Sequence, residues 1–182
     1  EDRREDLLSL GRNMLIAMLI IFVLLGAQLR SYVQPLVIMA IIPFGLVGAA
    51  LGHLLLGFNL SFISIFGMVA LTGVVINDSV VLIDYYNQRQ AADKTAVQAI
   101  VAAVRRRFRP ILLTTMTTSL ALLPMLLETS LQARFLIPMA ISLAFGLLFA
   151  GVVLLLLLPV LIGIHEDLQR RRRQLADWFR DR

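Results

Sequence analysis

The chain contains no cysteine, only two histidines and a single tryptophan. The missing thiols exclude disulfides and thiolate chemistry, and they leave the redox compartment unreadable. Two histidines without cysteine make no metal-ligand cluster. No G-x-S-x-G, H-E-x-x-H or G-x-x-x-x-G-K-[ST] pattern occurs, so the common hydrolase, zinc-protease and nucleotide-binding signatures are missing. No signal-peptide pattern opens the chain and no low-complexity segment interrupts it. Charge is also missing over long distances. Met14–Ala27, Pro35–Leu56, Leu60–Ile76, Ile111–Leu127 and Phe135–Ile164 carry no Asp, Glu, Lys or Arg.

Those runs set the solvent. The apolar fraction is 59%, against roughly 45–50% in a soluble domain. A bilayer crossing takes about 20 predominantly apolar residues. The runs therefore predict an all-α membrane protein, a bundle of five transmembrane helices. The spans are expected at about 8–29, 35–56, 60–86, 110–127 and 135–164. The chain starts at Glu1 and an odd number of spans separates its ends. It is thus expected to be the C-terminal membrane part of a longer protein.

The formal net charge of +5 is explained by membrane topology rather than by nucleic acid. With residue 1 outside, one side receives Arg30, Arg89, Lys94, Arg105, Arg106, Arg107, Arg109, Arg170–Arg173, Arg180 and Arg182. The other receives only Arg3, Arg4, Arg12 and Arg134. Cytoplasmic loops carry the excess of Lys and Arg. Residue 1 is accordingly placed on the outer side and the C-terminus in the cytoplasm.

The connections carry their own signals. Pro35 is suited to a helix first turn. Pro43 falls inside span two, where it should kink the helix. Gly48 and Gly52 form a G-x-x-x-G, read as ordinary close packing between helices. Asn59-Leu60-Ser61 is formally a glycosylation sequon, discounted because it abuts the membrane. Between spans three and four, Asp93 or Thr95 can cap a helix. Val97, Ile100, Val101, Val104 and Phe108 then recur at helical spacing, and four arginines crowd the end. This predicts a cytoplasmic amphipathic helix at about 94–108, lying along the membrane surface. The tail, 165–182, is charged and expected to be helical, with Trp178 and Phe179 able to touch the interface.

Polar residues inside the spans are the candidate site. Asp78 is the sharpest, since an Asp at a helix centre costs about 2.5 to 3.5 kcal/mol on insertion scales. Two readings stand: a proton or ion pathway, or a packed carboxylate satisfied by hydroxyl neighbours. Asn77 and Ser79 can bond to it or to a facing helix. Asp84 is read as a solvated interfacial group. In span four, Thr114, Thr117 and Thr118 share a face. They either bond back to their own helix or supply hydroxyls to a water chain at Asp78. Arg107 and Arg109 lie just below, placed to tune it. His53 stands alone and is read as packed or interfacial.

Four stretches then point the same way. QPLVIMAIIPFGLVGAALG (34–52), GMVALTGVVINDSVVLIDYYN (67–87), RRRFRPILLTTMTTSLALLPML (105–126) and FLIPMAISLAFGLLFAGVVLLLLLPVL (135–161) occur in this order. Together they resemble the C-terminal membrane half of resistance–nodulation–division (RND) efflux pumps of the AcrB/AcrD/AcrF type. The block R-F-R-P-I-L-L-T-T after an amphipathic helix is the most specific piece.

The resemblance implies the last five of twelve spans, in a proton antiporter of the bacterial inner membrane with a periplasmic N-terminal side. It implies export of drugs or other amphiphiles, driven by the proton motive force with no cofactor. Implied partners are the lipid bilayer, the remainder of the permease, two further copies in a homotrimer, a periplasmic adaptor and an outer-membrane channel. The family's relay couples an aspartate pair on the fourth helix to a lysine on the tenth and a hydroxyl on the eleventh. By this likeness the lysine position is Asn77, Asp78 falls where Asn is frequent, the hydroxyl is Thr114 and an inner-end arginine is Arg107. Asp78 then titrates on this helix, or the relay is rearranged; Thr118 is counted with it. The alternatives are a lipid exporter of the same superfamily, or a structural or regulatory bundle of the same fold.

Overall fold

The computed structural model describes residues 2–91, 95–128 and 130–180, and all regular structure among them is helical. The order is α1 (Asp2–Leu29), α2 (Val33–Met39), α3 (Ile42–Leu56), α4 (Phe62–Gln90), α5 (Ala96–Ala121), α6 (Leu123–Leu126) and α7 (Leu131–Arg180). Five stretches are long and apolar enough to cross a membrane: Gly11–Leu29, Val33–Leu56, Phe62–Gln90, Ala96–Leu126 and Arg134–Leu168. The chain is a multi-pass membrane protein.

Two compact units divide it, residues 1–36 and 37–182. The first is built on α1. Leu15, Ile16, Leu19, Ile20, Val23 and Leu24 stand exposed along it. Apolar residues on every side suit a helix for lipid rather than water. It ends at Arg30, whose φ of 50° reverses the chain. The Ser31 hydroxyl then accepts from the Gln34 N–H at 3.4 Å, capping the start of α2.

In the second unit the long α7 packs against α3, α4 and α5. Span two is a broken helix, as Pro43 predicts. Pro43 sits in the first turn of α3, where its missing N–H costs nothing. The break at Ala40–Ile41 is bridged by tight turns. The Ile41 N–H donates to Ile38 O at 3.1 Å, and the Phe44 N–H to Ile41 O at 3.0 Å. Gly57 ends α3 with a φ of 71°, and the Phe58 N–H donates to His53 O at 3.0 Å. A left-handed residue just past a helix end suits glycine.

Glycines set how closely α7 approaches. A Cβ on Gly48 would run into Phe149, and one on Gly52 would stand 2.5 Å from the Phe145 Cβ. The G-x-x-x-G is thus a packing seam, as expected. Gly67 rests on the backbone carbonyl of Met139, and Gly146 against Leu71.

Two boundaries differ from expectation. The surface helix at 94–108 and the span at 110–127 are not separate elements: α5 runs unbroken from Ala96 to Ala121 with Pro110 inside it. Proline removes one N–H bond without ending a helix whose flanking turns hold. The ladder breaks later, at Leu122, just ahead of Pro124. Similarly, span five and the tail form the single helix α7, 50 residues long and about 75 Å at 1.5 Å per residue. The hydrocarbon core is about 30 Å thick, so both helices run past it as their charges begin. Thr95 caps α5, its hydroxyl accepting from the Gln98 N–H at 3.4 Å. Asp93 and Lys94 lie outside the described residues, as do the side chains of Trp178 and Phe179.

Candidate functional site

The site is built on α4 and α5. Ser61 starts α4 with a capping box: its hydroxyl accepts from the Ser64 N–H at 3.3 Å, and the Ser64 hydroxyl accepts from the Ser61 N–H at 3.1 Å. Two orphan donors of the first turn are thereby satisfied. From that fixed end, α4 carries Asn77 and Asp78 to its middle, about 24 Å along the axis.

Around Asp78 the three consecutive polar residues diverge. Ser79 is buried, its hydroxyl donating to Val75 O at 2.7 Å. Asp78 is half-buried and Asn77 is exposed on the flank of the bundle. Neither Asp78 nor Asn77 hydrogen-bonds to a described residue. A carboxylate in mid-span with no partner is costly, and such groups face a bundle interior or a water-filled cavity. Asp84, six residues on, is exposed and accepts from Gln88 Nε2 at 2.8 Å.

The threonine block divides in the same way. Thr114 is exposed, and its hydroxyl donates to Pro110 O and Ile111 O, both at 3.0 Å. Thr117, also exposed, donates to Leu113 O at 2.8 Å and Thr114 O at 3.1 Å. These two bond back to their own helix, the first of the two readings. Thr118 is half-buried. The hydroxyls that turn inward are Thr115 and Ser119, which the sequence reading passed over. Ser119 donates to Ala144 O on α7 at 3.2 Å. Thr115 is 4% exposed and faces Gly151, its hydroxyl without a partner. The signal was the four-residue spacing Ile111, Thr115, Ser119, all buried.

Arg107 lies two turns before Thr114 on α5, half-buried, its guanidinium carbon 6.0 Å from the Tyr85 ring centre. Arg109 is exposed. No hydrogen bond joins Asp78, Asn77, Thr114, Thr118 and Arg107 to one another. Asn77 and Thr114 are both exposed, while Asp78, Thr118 and Arg107 are half-buried.

His53 is packed, not interfacial. It is 2% exposed, with Nδ1 2.9 Å from Ala49 O and Nε2 2.9 Å from the Ser64 hydroxyl. The carbonyl can only accept, so Nδ1 carries a proton, and in the neutral imidazole Nε2 accepts from the Ser64 hydroxyl.

Fold and site together define a polytopic membrane bundle with polar side chains set at mid-span. The family model described as the AcrB/AcrD/AcrF family matches residues 5–164. The chain belongs to this family of RND permeases. It is 33% identical over 162 residues to multidrug resistance protein MdtC of Erwinia tasmaniensis, covering 88% of this chain and 16% of that protein. It is 31% identical over 163 residues to the MdtC of Proteus mirabilis, covering 87% of this chain and 16% of that protein. Its fold matches a crystal structure of a heavy metal efflux pump with a TM-score of 0.82 at 26% identity, covering 92% of this chain and 17% of that one. The chain thus spans about one sixth of the length of these relatives.

Proposed function

We propose that this chain is the C-terminal membrane part of a proton-driven RND efflux pump exporting drugs or other amphiphilic compounds. The observation that carries the reading is Asp78, a mid-span carboxylate, half-buried and with no hydrogen-bond partner among the described residues, beside an exposed Asn77. A bundle complete in itself would have no use for that arrangement. A bundle that faces a second one across a proton path would. Family membership supports efflux, and the multidrug relatives support the substrate class. One proton crossing 100 mV releases about 2.3 kcal/mol, available to drive movement elsewhere in the pump.

In this reading Asp78 takes and releases the proton. Asn77, Thr114 and Thr118 supply hydrogen-bonding groups on the path, and Arg107 sets its potential from one end. The excess of arginines supports a cytoplasmic C-terminus, and family membership supports the bacterial inner membrane. Family membership supports assembly as a homotrimer docked to a periplasmic adaptor and an outer-membrane channel.

The experiment is drug susceptibility and proton uptake with the full-length protein, wild type against Asp78→Asn, at matched expression. Loss of both with normal folding supports the relay. Unchanged export makes Asp78 a packing residue and places coupling outside this chain.

A further inference from the structure

At the arginine-rich end of the bundle, hydrogen-bond donors outnumber the acceptors among the described residues. Tyr85 is near the end of α4. Its phenol oxygen accepts from Arg89 Nε at 3.0 Å and Arg89 Nη2 at 2.7 Å. With both acceptor positions used, Tyr85 has only its O–H left to give. Among the described residues nothing receives it. Arg107 comes to the same ring from α5. Its Cζ lies 6.0 Å from the ring centre, and that of Arg89 lies 5.1 Å away. Arg107 Nε is buried and has no hydrogen-bond partner.

Two guanidiniums thus approach one phenol, and no described carboxylate pairs with either. Asp84 accepts from Gln88 and Glu166 from Tyr86, and neither is paired with these arginines. An aromatic ring attracts a cation through its quadrupole, but two cations on one ring repel each other. A buried N–H is nearly always satisfied. What completes such a set is an anion with several acceptor oxygens, and planar guanidinium forks match phosphate in particular.

We propose that Tyr85, Arg89 and Arg107 form a binding site for a phosphate group, either the headgroup phosphodiester of an anionic phospholipid or free phosphate. The setting suits the headgroup source. Phe108 is 49% exposed and Leu113 63% exposed, just beyond Arg107 on the membrane side, a surface for acyl chains. Tyrosine is enriched at this depth. Arg105, Arg106 and Arg109 are exposed around it and raise the local concentration of anions. Arg107 is shared with the proposed relay, but the test reads binding and not transport, so failure of one reading is distinguishable from failure of the other.

The test is native mass spectrometry of the full-length protein titrated with phosphatidylglycerol, phosphatidylcholine or inorganic phosphate. Phosphatidylglycerol is expected to bind about tenfold more tightly than phosphatidylcholine. Arg107→Gln and Arg89→Gln should each remove that preference, and Tyr85→Phe should reduce it about threefold. Arg109→Gln removes the same charge from an exposed position and should change it less than twofold. Should Arg107→Gln fail to fold, Arg107→Lys keeps the charge and lacks the fork, and it should still lose about tenfold. Inorganic phosphate displacing the lipid at matched concentration would identify free phosphate as the ligand. Failure to displace it would identify the lipid headgroup. Equal binding of the two lipids overturns the site. So does equal loss in Arg109→Gln and Arg107→Gln, since the preference would then be surface charge alone.

Discussion

His53 on α3 and Ser64 on α4 are joined by a 2.9 Å hydrogen bond between two side chains that are both buried. The bond ties the end of span two to the first turn of span three, and Ser64 is also half of the capping box that starts α4. Ser64→Ala leaves His53 Nε2 buried without a donor and opens the box. We expect a loss of about 1–3 kcal/mol, read from thermal unfolding of the full-length protein in detergent. Removing both partners in His53→Leu/Ser64→Ala should recover part of that loss, since no orphan then remains. A double variant weaker than the sum of the singles would refute the pairing.

Glycine spacing makes the second prediction, a contrast between two positions on one helix. A Cβ on Gly67 would collide with the Met139 carbonyl, and backbone cannot step aside as a side chain can. Gly73 has nothing within 4 Å of a Cβ. Gly67→Ala should therefore destabilise by about 1–3 kcal/mol through overpacking. Gly73→Ala should be neutral or stabilise by up to about 1 kcal/mol, because alanine is the better helix former. Equal melting temperatures for the two variants would contradict the close approach of α4 to α7.

Tyr86 gives the third. It is 1% exposed, and its hydroxyl donates to Glu166 Oε1 at 2.8 Å, across 80 residues of sequence. The bond fastens the arginine-rich end of α4 to α7 where that helix leaves its apolar run. Tyr86→Phe keeps the ring and removes the donor, at an expected cost of about 1–2 kcal/mol. Glu166→Gln retains an acceptor oxygen and should cost less than half as much. If Glu166→Gln is the more damaging of the two, the carboxyl serves some other contact.

The spans were legible because charge-free runs of membrane length admit few other structures. The helix ends were less so. Arg105–Arg109 mark where α5 meets water, and hydropathy reads that change of solvent as the end of an element. The backbone hydrogen bonds do not change there, so the helix continues through Pro110. The same holds for α7 at His165. Which face turns inward was the hardest to read. In water an apolar stripe reveals the buried side, but in lipid both sides are apolar. Small residues decide it instead, as Gly48, Gly52 and Gly67 do. Asp78 stood out from composition alone, whereas Thr115 could be told from Thr114 only once Gly151 was seen beside it.

That pair makes the last prediction, because stability and transport should move in opposite ways. Thr115 is buried with an unpartnered hydroxyl. Thr115→Val replaces the orphan oxygen with a methyl group of similar size. It should leave the protein as stable or more so by about 1 kcal/mol, with export unchanged. Thr114 is exposed and bonded only to its own helix, so Thr114→Val should alter stability by less than about 0.5 kcal/mol. Its hydroxyl faces away from this bundle, where a proton path shared with the rest of the permease would run. Thr114→Val should then lower export at least tenfold at matched expression. Export lost in Thr115→Val and kept in Thr114→Val would move the path to the interior of this bundle, between α5 and α7. It would then run past Ser119, whose bond to Ala144 already crosses that interface.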